Sequence, residues 1–377
     1  MRKKTCRQTI LAILFFIFLS VNYIFPADNT EPPAVPLLPE VRAMGGAFTA
    51  VANDHNTIFF NPAGYGIIGD GITSVFSLGL KANIDDSAVD FYGALLSGED
   101  MTTSSNIDKY MTCVTVSPGV AGPILFGRVG ENFGFAFYDN LSVYLDTDPG
   151  AIFPKAEFHA YADVGFVGGY GTELPWGNSL YAGINLKLLL RLKSHLEGTA
   201  LKVMDSVSDP SKIPLVKAIG FGSDLGLLYR PAPWFSCGIA AKDFFGTHFS
   251  SWENLTSYEQ SFPNSYIKPR IAAGVALFPL ESMGSESAGF RDLVMSLEYS
   301  DLLDYSSFLS NIKFGLGFKT LRFLELRGGI DGGYLTGGVG FNLKVVHIDL
   351  AYFVDERGAY PGADPVQNLM FNIAVRW

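Results

Sequence analysis

The residues with obvious chemical potential are few and scattered. The histidines are His55, His159, His195, His248 and His347, and the cysteines are Cys6, Cys113 and Cys237. No histidine stands at metal-binding spacing from another histidine or a cysteine, so no metal or cofactor is expected. No G-x-S-x-G elbow is present, and a catalytic set is not expected either. Gly64-Tyr65-Gly66-Ile67-Ile68-Gly69 matches G-x-G-x-x-G. A dinucleotide site needs a strand before that pattern and a helix after it. Here Asn-Pro-Ala precedes and alternating segments follow, so the match is coincidental. The charged residues Lys313, Lys319, Glu325, Arg327, Lys344, Asp349 and Arg376 share the non-apolar face of their segments. Their mixed signs suit ion pairs that fill an interior. Alternatively, Arg327 and Lys344 hold the carboxylate of a ligand through charge-assisted bonds.

Those side chains have to be positioned by strands. From Ile72 onward, segments of about ten residues alternate apolar with small or polar side chains. In 218–230, Ile219, Phe221, Leu225, Leu227 and Tyr229 share one face, opposite Gly220, Gly222, Asp224 and Gly226. The same holds in 311–319, 335–345 and 346–354, with a parity switch at Val345 and Val346 that marks a tight turn. Similar segments fall at 72–81, 88–96, 121–129, 132–140, 159–171, 178–193, 233–243, 268–278, 291–300, 322–331 and 368–377. That makes fifteen, one more than an even-numbered barrel allows; the surplus lies in 72–129 and fourteen strands are expected. Leu189 is an apolar exception on the charged face of 178–193, beside Lys187, Arg191 and Lys193. Longer connections are expected at 139–158, 194–217, 244–267 and 355–367, with short turns at the other end. The connection 279–290 is long for that second end.

Composition narrows the class. The 377 residues are 48% hydrophobic and only 17% charged, yet no apolar run approaches the ~20 residues of a membrane helix. A multi-span helical protein is excluded. Disorder is excluded by hydrophobicity, and nucleic-acid binding by a net charge of −10. Arg2, Lys3, Lys4 and Arg7 followed by Ile10–Leu19 read as a signal peptide ending near Ala27. The non-apolar face is mostly Gly, Ala, Ser and Asn, which suits a crowded lumen better than a water-exposed surface. The segments therefore read as a barrel with lipid outside. Tyr229, Trp176, Trp234 and Trp377 fit interfacial girdles.

Residues 31–39, with four prolines, read as an extended lead-in, followed by a short helix around Met44–Ala52. Residues 42–64 contain Arg42-Ala43, Gly45-Gly46-Ala47, Ala52-Asn53-Asp54 and Asn61-Pro62-Ala63. This stretch resembles the N-terminal hatch of the FadL family of outer-membrane long-chain fatty acid transporters, and looks closer to its PorV-like branch. The resemblance implies a transmembrane antiparallel β-barrel of about 14 strands with a small N-terminal plug. The expected units are a signal peptide over 1–27, the plug over 28–71 and the barrel over 72–377. Asn61, Pro62, Ala63, Gly45, Gly46 and Asp54 are the expected plug or gating residues. Asn61 can cap its own turn and Pro62 fixes φ, which favours an irregular plug on physical grounds as well.

The function implied is import of small hydrophobic molecules across the outer membrane; the alternative is a PorV-like partner for secretion or surface attachment. The expected partners are outer-membrane lipids, a hydrophobic ligand and the barrel-assembly machinery. The last would read the terminal strand, where Phe371, Ile373, Val375 and Trp377 share a face.

Overall fold

Closing a sheet with two unlike faces puts one face on the outside and the other around a lumen. This is a computed structural model, and it describes residues 30–68, 72–111, 113–122, 126–149, 154–175, 178–256, 262–282, 290–304, 307–321, 323–358 and 360–377. The expected signal peptide, Cys6, Gly69 and Trp176 lie outside those residues. From Ile72 the chain forms fourteen antiparallel staves that close on themselves. They are β1 (Ile72–Asn83), β2 (Thr115–Val116, Gly119–Ala121 and Phe126–Gly130), β3 (Phe133–Asp148), β4 (Lys155–Glu173), β5 (Leu180–Thr199), β6 (Val216–Ala232) and β7 (Phe235–Lys242 and Thr247–Asn254). Then follow β8 (Ser265–Ile267 and Arg270–Leu277), β9 (Phe290–Tyr299), β10 (Ile312–Thr320), β11 (Leu324–Asp331), β12 (Tyr334–Leu343), β13 (Val346–Glu356) and β14 (Pro365–Arg376). Closure comes from β14 against β1, running from Asn368 opposite Asn83 to Arg376 opposite Ser74.

The alternation sorts as the parity reading requires. Leu186, Phe221 and Leu335 point outward and are 64%, 70% and 74% exposed, while Asn185, Asp224 and Thr336 point inward and are buried. Leaving such a side chain in water forgoes about 1.5–3 kcal/mol relative to burial. Repeated around the circumference, that cost is tolerable only in hydrocarbon, so this is a transmembrane barrel. Trp234 and Trp377 are exposed at the rim that carries Ile72 and Arg376, here the lower rim.

The lumen is occupied by residues 30–68. Thr30–Glu31 lies parallel to Tyr266–Ile267 of β8, high in the barrel. The proline-rich lead-in descends to α1 (Pro39–Ala43), and a chain of turns leads to α2 (Thr57–Phe60) and a 3₁₀ turn (Pro62–Gly66). The helix expected at Met44–Ala52 is displaced to α1. Pro39 suits a first helical position, and Gly45 and Gly46 follow with φ of +61° and +75°, which end it.

The upper rim carries α3 (Asp86–Leu96), α4 (Ser104–Tyr110) and α5 (Ala200–Ser208). The expected strand at 88–96 is thus a helix, and its removal leaves fourteen. Ala88, Phe91 and Ala94 are buried at three-residue spacing, the face of a helix, and the short apolar run conceals that period. These residues join Met101, Ile107, Val203 and Met204 in an apolar cluster against Leu145 and Phe158. The upper connections are shorter than expected: 149–154, 200–215, 255–264 and 357–364. Strands β3 to β5 run 16 to 20 residues, where about 9–11 span a bilayer, so pairing continues above the apolar band in polar residues.

Candidate functional site

The glycines that alternate with apolar residues form seats for the luminal segment. A Cβ on Gly183 would lie 2.3 Å from the Pro62 carbonyl, and one on Gly171 would lie 2.4 Å from it. A Cβ on Gly226 would lie 2.1 Å from Asn61 Oδ1, on Gly238 2.6 Å from the Thr49 carbonyl, and on Gly338 2.6 Å from Ala43 Cβ. Gly329 and Gly315 similarly approach Gly45 and Met44. Only glycine lets the wall backbone come so close. Gly45 itself would carry a Cβ 2.5 Å from two wall carbonyls, those of Phe314 and Ile330.

Hydrogen bonds complete the seat. Asn61 is wholly buried; its Nδ2 donates to the Thr49 carbonyl at 2.8 Å and the Leu227 carbonyl at 3.2 Å, and its Oδ1 accepts from the Ala63 N–H at 3.1 Å. Pro62 opens the 3₁₀ turn, and Ala63 is fully buried beside it. Tyr65 donates to Asn185 Oδ1 at 2.8 Å, and Asn185 Nδ2 donates to the Ile58 carbonyl at 2.8 Å. The Gly45 N–H donates to Thr336 Oγ1 at 3.1 Å, whose hydroxyl donates to the Ala43 carbonyl at 2.9 Å. Asp54 Oδ1 accepts from the Asn56 N–H at 2.8 Å, so Asp54 shapes the turn before α2.

Charge pairs pin the two ends of the lead-in. High in the barrel, Glu31 binds Lys193 and lies 3.6 Å from Arg191, which is itself paired with Asp163 at 2.7 Å. At the lower rim, Glu40 accepts from Arg376 at 2.8 Å and lies 3.3 Å from His55. Residues 31–40 can reach about 30 Å when extended. Leu189 points inward and packs with Phe249, Ile267 and Ala34 of the lead-in.

Most inward charges are committed to partners. Arg327 binds Glu325 and Asp349, the latter at 2.7 Å; Lys313 binds Asp331 at 2.7 Å, and Lys319 binds Asp292 at 3.0 Å. Lys344 is exposed on the β12–β13 turn with φ of +69°, beside the lower rim. Arg327 and Lys344 both line a lower cavity of about 320 Å³ with Glu40, His55 and Arg376.

Two cations absent from the sequence reading stand out. Lys242 and Arg270 line a cavity of about 290 Å³ enclosed by Val35, Leu37, Leu38, Val41 and Phe60 of the luminal segment and by Met370 and Ala272 of the wall. Among the described residues neither makes an ion pair. Lys242 Nζ lies 4.0 Å from the Phe60 ring centroid, and Arg270 Nε is buried without a hydrogen-bond partner. Glu298 also lines the cavity, and its Oε2 accepts from the Thr49 N–H at 2.7 Å. The inward parity of Arg270 was the available signal. Outside, an apolar groove of about 670 Å³ crosses β6 to β9 over Leu227, Ile239, Val275 and Leu297. Gly238 lines it as well, with Thr49 and Ala50 directly behind.

No protein-family model matches the sequence, and no curated protein matches it. Solved structures do. The toluene transporter TodX of Pseudomonas putida is 12% identical, with 92% of this chain and 98% of that one covered and a TM-score of 0.47. The toluene transporter TbuX of Ralstonia pickettii is 16% identical, covering 90% and 98%, with a TM-score of 0.46. A Pseudomonas aeruginosa FadL homologue is 12% identical, covering 93% and 99%, with a TM-score of 0.45. The chain is similar to these proteins in its barrel fold.

Proposed function

We propose that the protein is an outer-membrane channel admitting small hydrophobic molecules, with residues 30–68 as the described part of its plug and the lower rim facing the periplasm. The observation that carries this reading is the interior cavity where apolar side chains of the luminal segment meet a polar, mainly cationic wall, in which neither Lys242 nor Arg270 has a carboxylate within ion-pair distance among the described residues. A buried cation without a partner is costly. An amphiphile with an acidic head would supply the missing anion and lay its apolar part against Val35, Leu37, Val41 and Phe60. Long-chain fatty acids fit that description. The glycine seats support a plug that docks by backbone contact and leaves without dragging large side chains through the wall.

The test is binding of labelled dodecanoate and of dodecanol to the full chain folded in detergent. The expected result is that K242Q/R270Q weakens dodecanoate at least tenfold and leaves dodecanol within about twofold. Absence of binding by the unaltered protein would remove the reading.

One observation favours a partner role instead. On α3, Leu95 and Leu96 are 54% and 88% exposed above the apolar band, a surface suited to a secretion or surface-attached protein. Stable co-purification of such a protein, with no ligand in the lumen, would support it.

A further inference from the structure

Linear spacing hides a histidine pair that strand pairing creates. His159 on β4 stands directly across from His195 on β5, although the two are 36 residues apart. Their Nδ1 atoms are 3.2 Å apart. A tetrahedral ion with bonds of about 2.0–2.1 Å holds neighbouring ligands roughly 3.3 Å from each other. Glu157, two residues before His159 on the same face, accepts from His159 Nε2 at 2.8 Å, and its Oε1 is 4.0 Å from His195 Nδ1. One ligand atom from each of the three lies within 4.8 Å of the others.

The carboxylate decides the chemistry of the nearer ring. Accepting from Nε2 places the proton there and leaves the Nδ1 lone pair of His159 turned toward His195. We infer that His159, His195 and Glu157 form a Zn²⁺-class metal site at the upper mouth of the barrel, above the lipid band. Both Nδ1 atoms bind the ion, Glu157 orients the set or joins it, and solvent takes the remaining positions.

The support is rigid. The β4–β5 ladder runs from Lys155 opposite Thr199 to Glu173 opposite Tyr181 without a register shift. On the other face, Phe158 and Leu196 pack into the apolar cluster under the helices. The site is open from the mouth, since the two imidazoles are 32% and 30% exposed. Glu197 lies across from Glu157 and adds negative charge that draws a cation.

The experiment uses the full chain, purified without a histidine tag and folded in detergent, titrated with Zn²⁺ alone and separately with Co²⁺. The expected result is one Zn²⁺ per barrel and a tetrahedral Co²⁺ spectrum. H159A and H195A should each weaken Zn²⁺ at least tenfold, E157Q should weaken it by about 10- to 100-fold, and H248A should leave it unchanged. Heat-modifiable gel migration checks that each variant is folded. Zn²⁺ binding that survives in H159A/H195A, or an octahedral Co²⁺ spectrum in the unaltered protein, would overturn the inference. So would an unaltered protein that binds no Zn²⁺ and keeps its histidines joined only by a hydrogen bond.

Discussion

Replacing Asn61 by alanine should unseat the luminal segment while leaving the barrel standing. The side chain is wholly buried and makes three hydrogen bonds, two donated to the Thr49 and Leu227 carbonyls and one accepted from the Ala63 N–H. Each is worth about 1 kcal/mol net, and a buried partner left unpaired costs more. The docked state should therefore lose roughly 2–4 kcal/mol, which at about 1.4 kcal/mol per decade is a roughly 30- to 700-fold rise in the undocked population. Amide exchange followed by mass spectrometry reads this directly, because local opening sets the exchange rate. Peptides covering 45–66 should exchange faster by that factor, and peptides of β3 to β5 should not change. G226A should give the same pattern from the wall side, since its Cβ would lie 2.1 Å from Asn61 Oδ1. Unchanged exchange in 45–66, or equal acceleration in the strands, would refute the seating argument.

Other expectations follow from single contacts. R327A leaves Asp349 and Glu325 facing each other, so it should cost about 3–5 kcal/mol in barrel stability, read by urea unfolding, whereas K344A should cost under about 0.5 kcal/mol. Phe91→Ala should loosen only the upper helices by about 3–5 kcal/mol, seen as new proteolytic cleavage in 84–114 with the barrel intact. Glu40→Gln removes the charge that holds Arg376, and exchange should rise over 36–56. If exchange there stays slow, the lower latch is unimportant.

The strand pattern was legible because lipid and lumen differ so sharply that one residue in two reports its face. It failed where that contrast ends. Phe91 and its neighbours face an apolar cluster above the membrane, and a short apolar run there carries no readable period. The upper strands continue in polar residues, so Asp146 and Glu157 looked like loop although they pair with each other. Asn61-Pro62-Ala63 was visible as a motif, but its seats were not. Gly171, Gly183 and Gly226 come together only after β4, β5 and β6 pair. Lys242 and Arg270 gain their meaning from the residues that do not reach them, which no local pattern records. His159 and His195 likewise needed strand register to meet.

On the proposed function, the lead-in must leave the lumen for a hydrophobic molecule to pass. A Cβ on Gly79 would lie 3.3 Å from Leu37 Cβ with nothing else nearer than 3.7 Å, close to the ~3.5–4.5 Å of a disulfide. Uptake of labelled dodecanoate should be measured in cells expressing L37C/G79C, with Cys113 and Cys237 replaced by serine. No uptake is expected when the bridge is oxidised, with full recovery after a reductant. Equal uptake in both states would contradict that function.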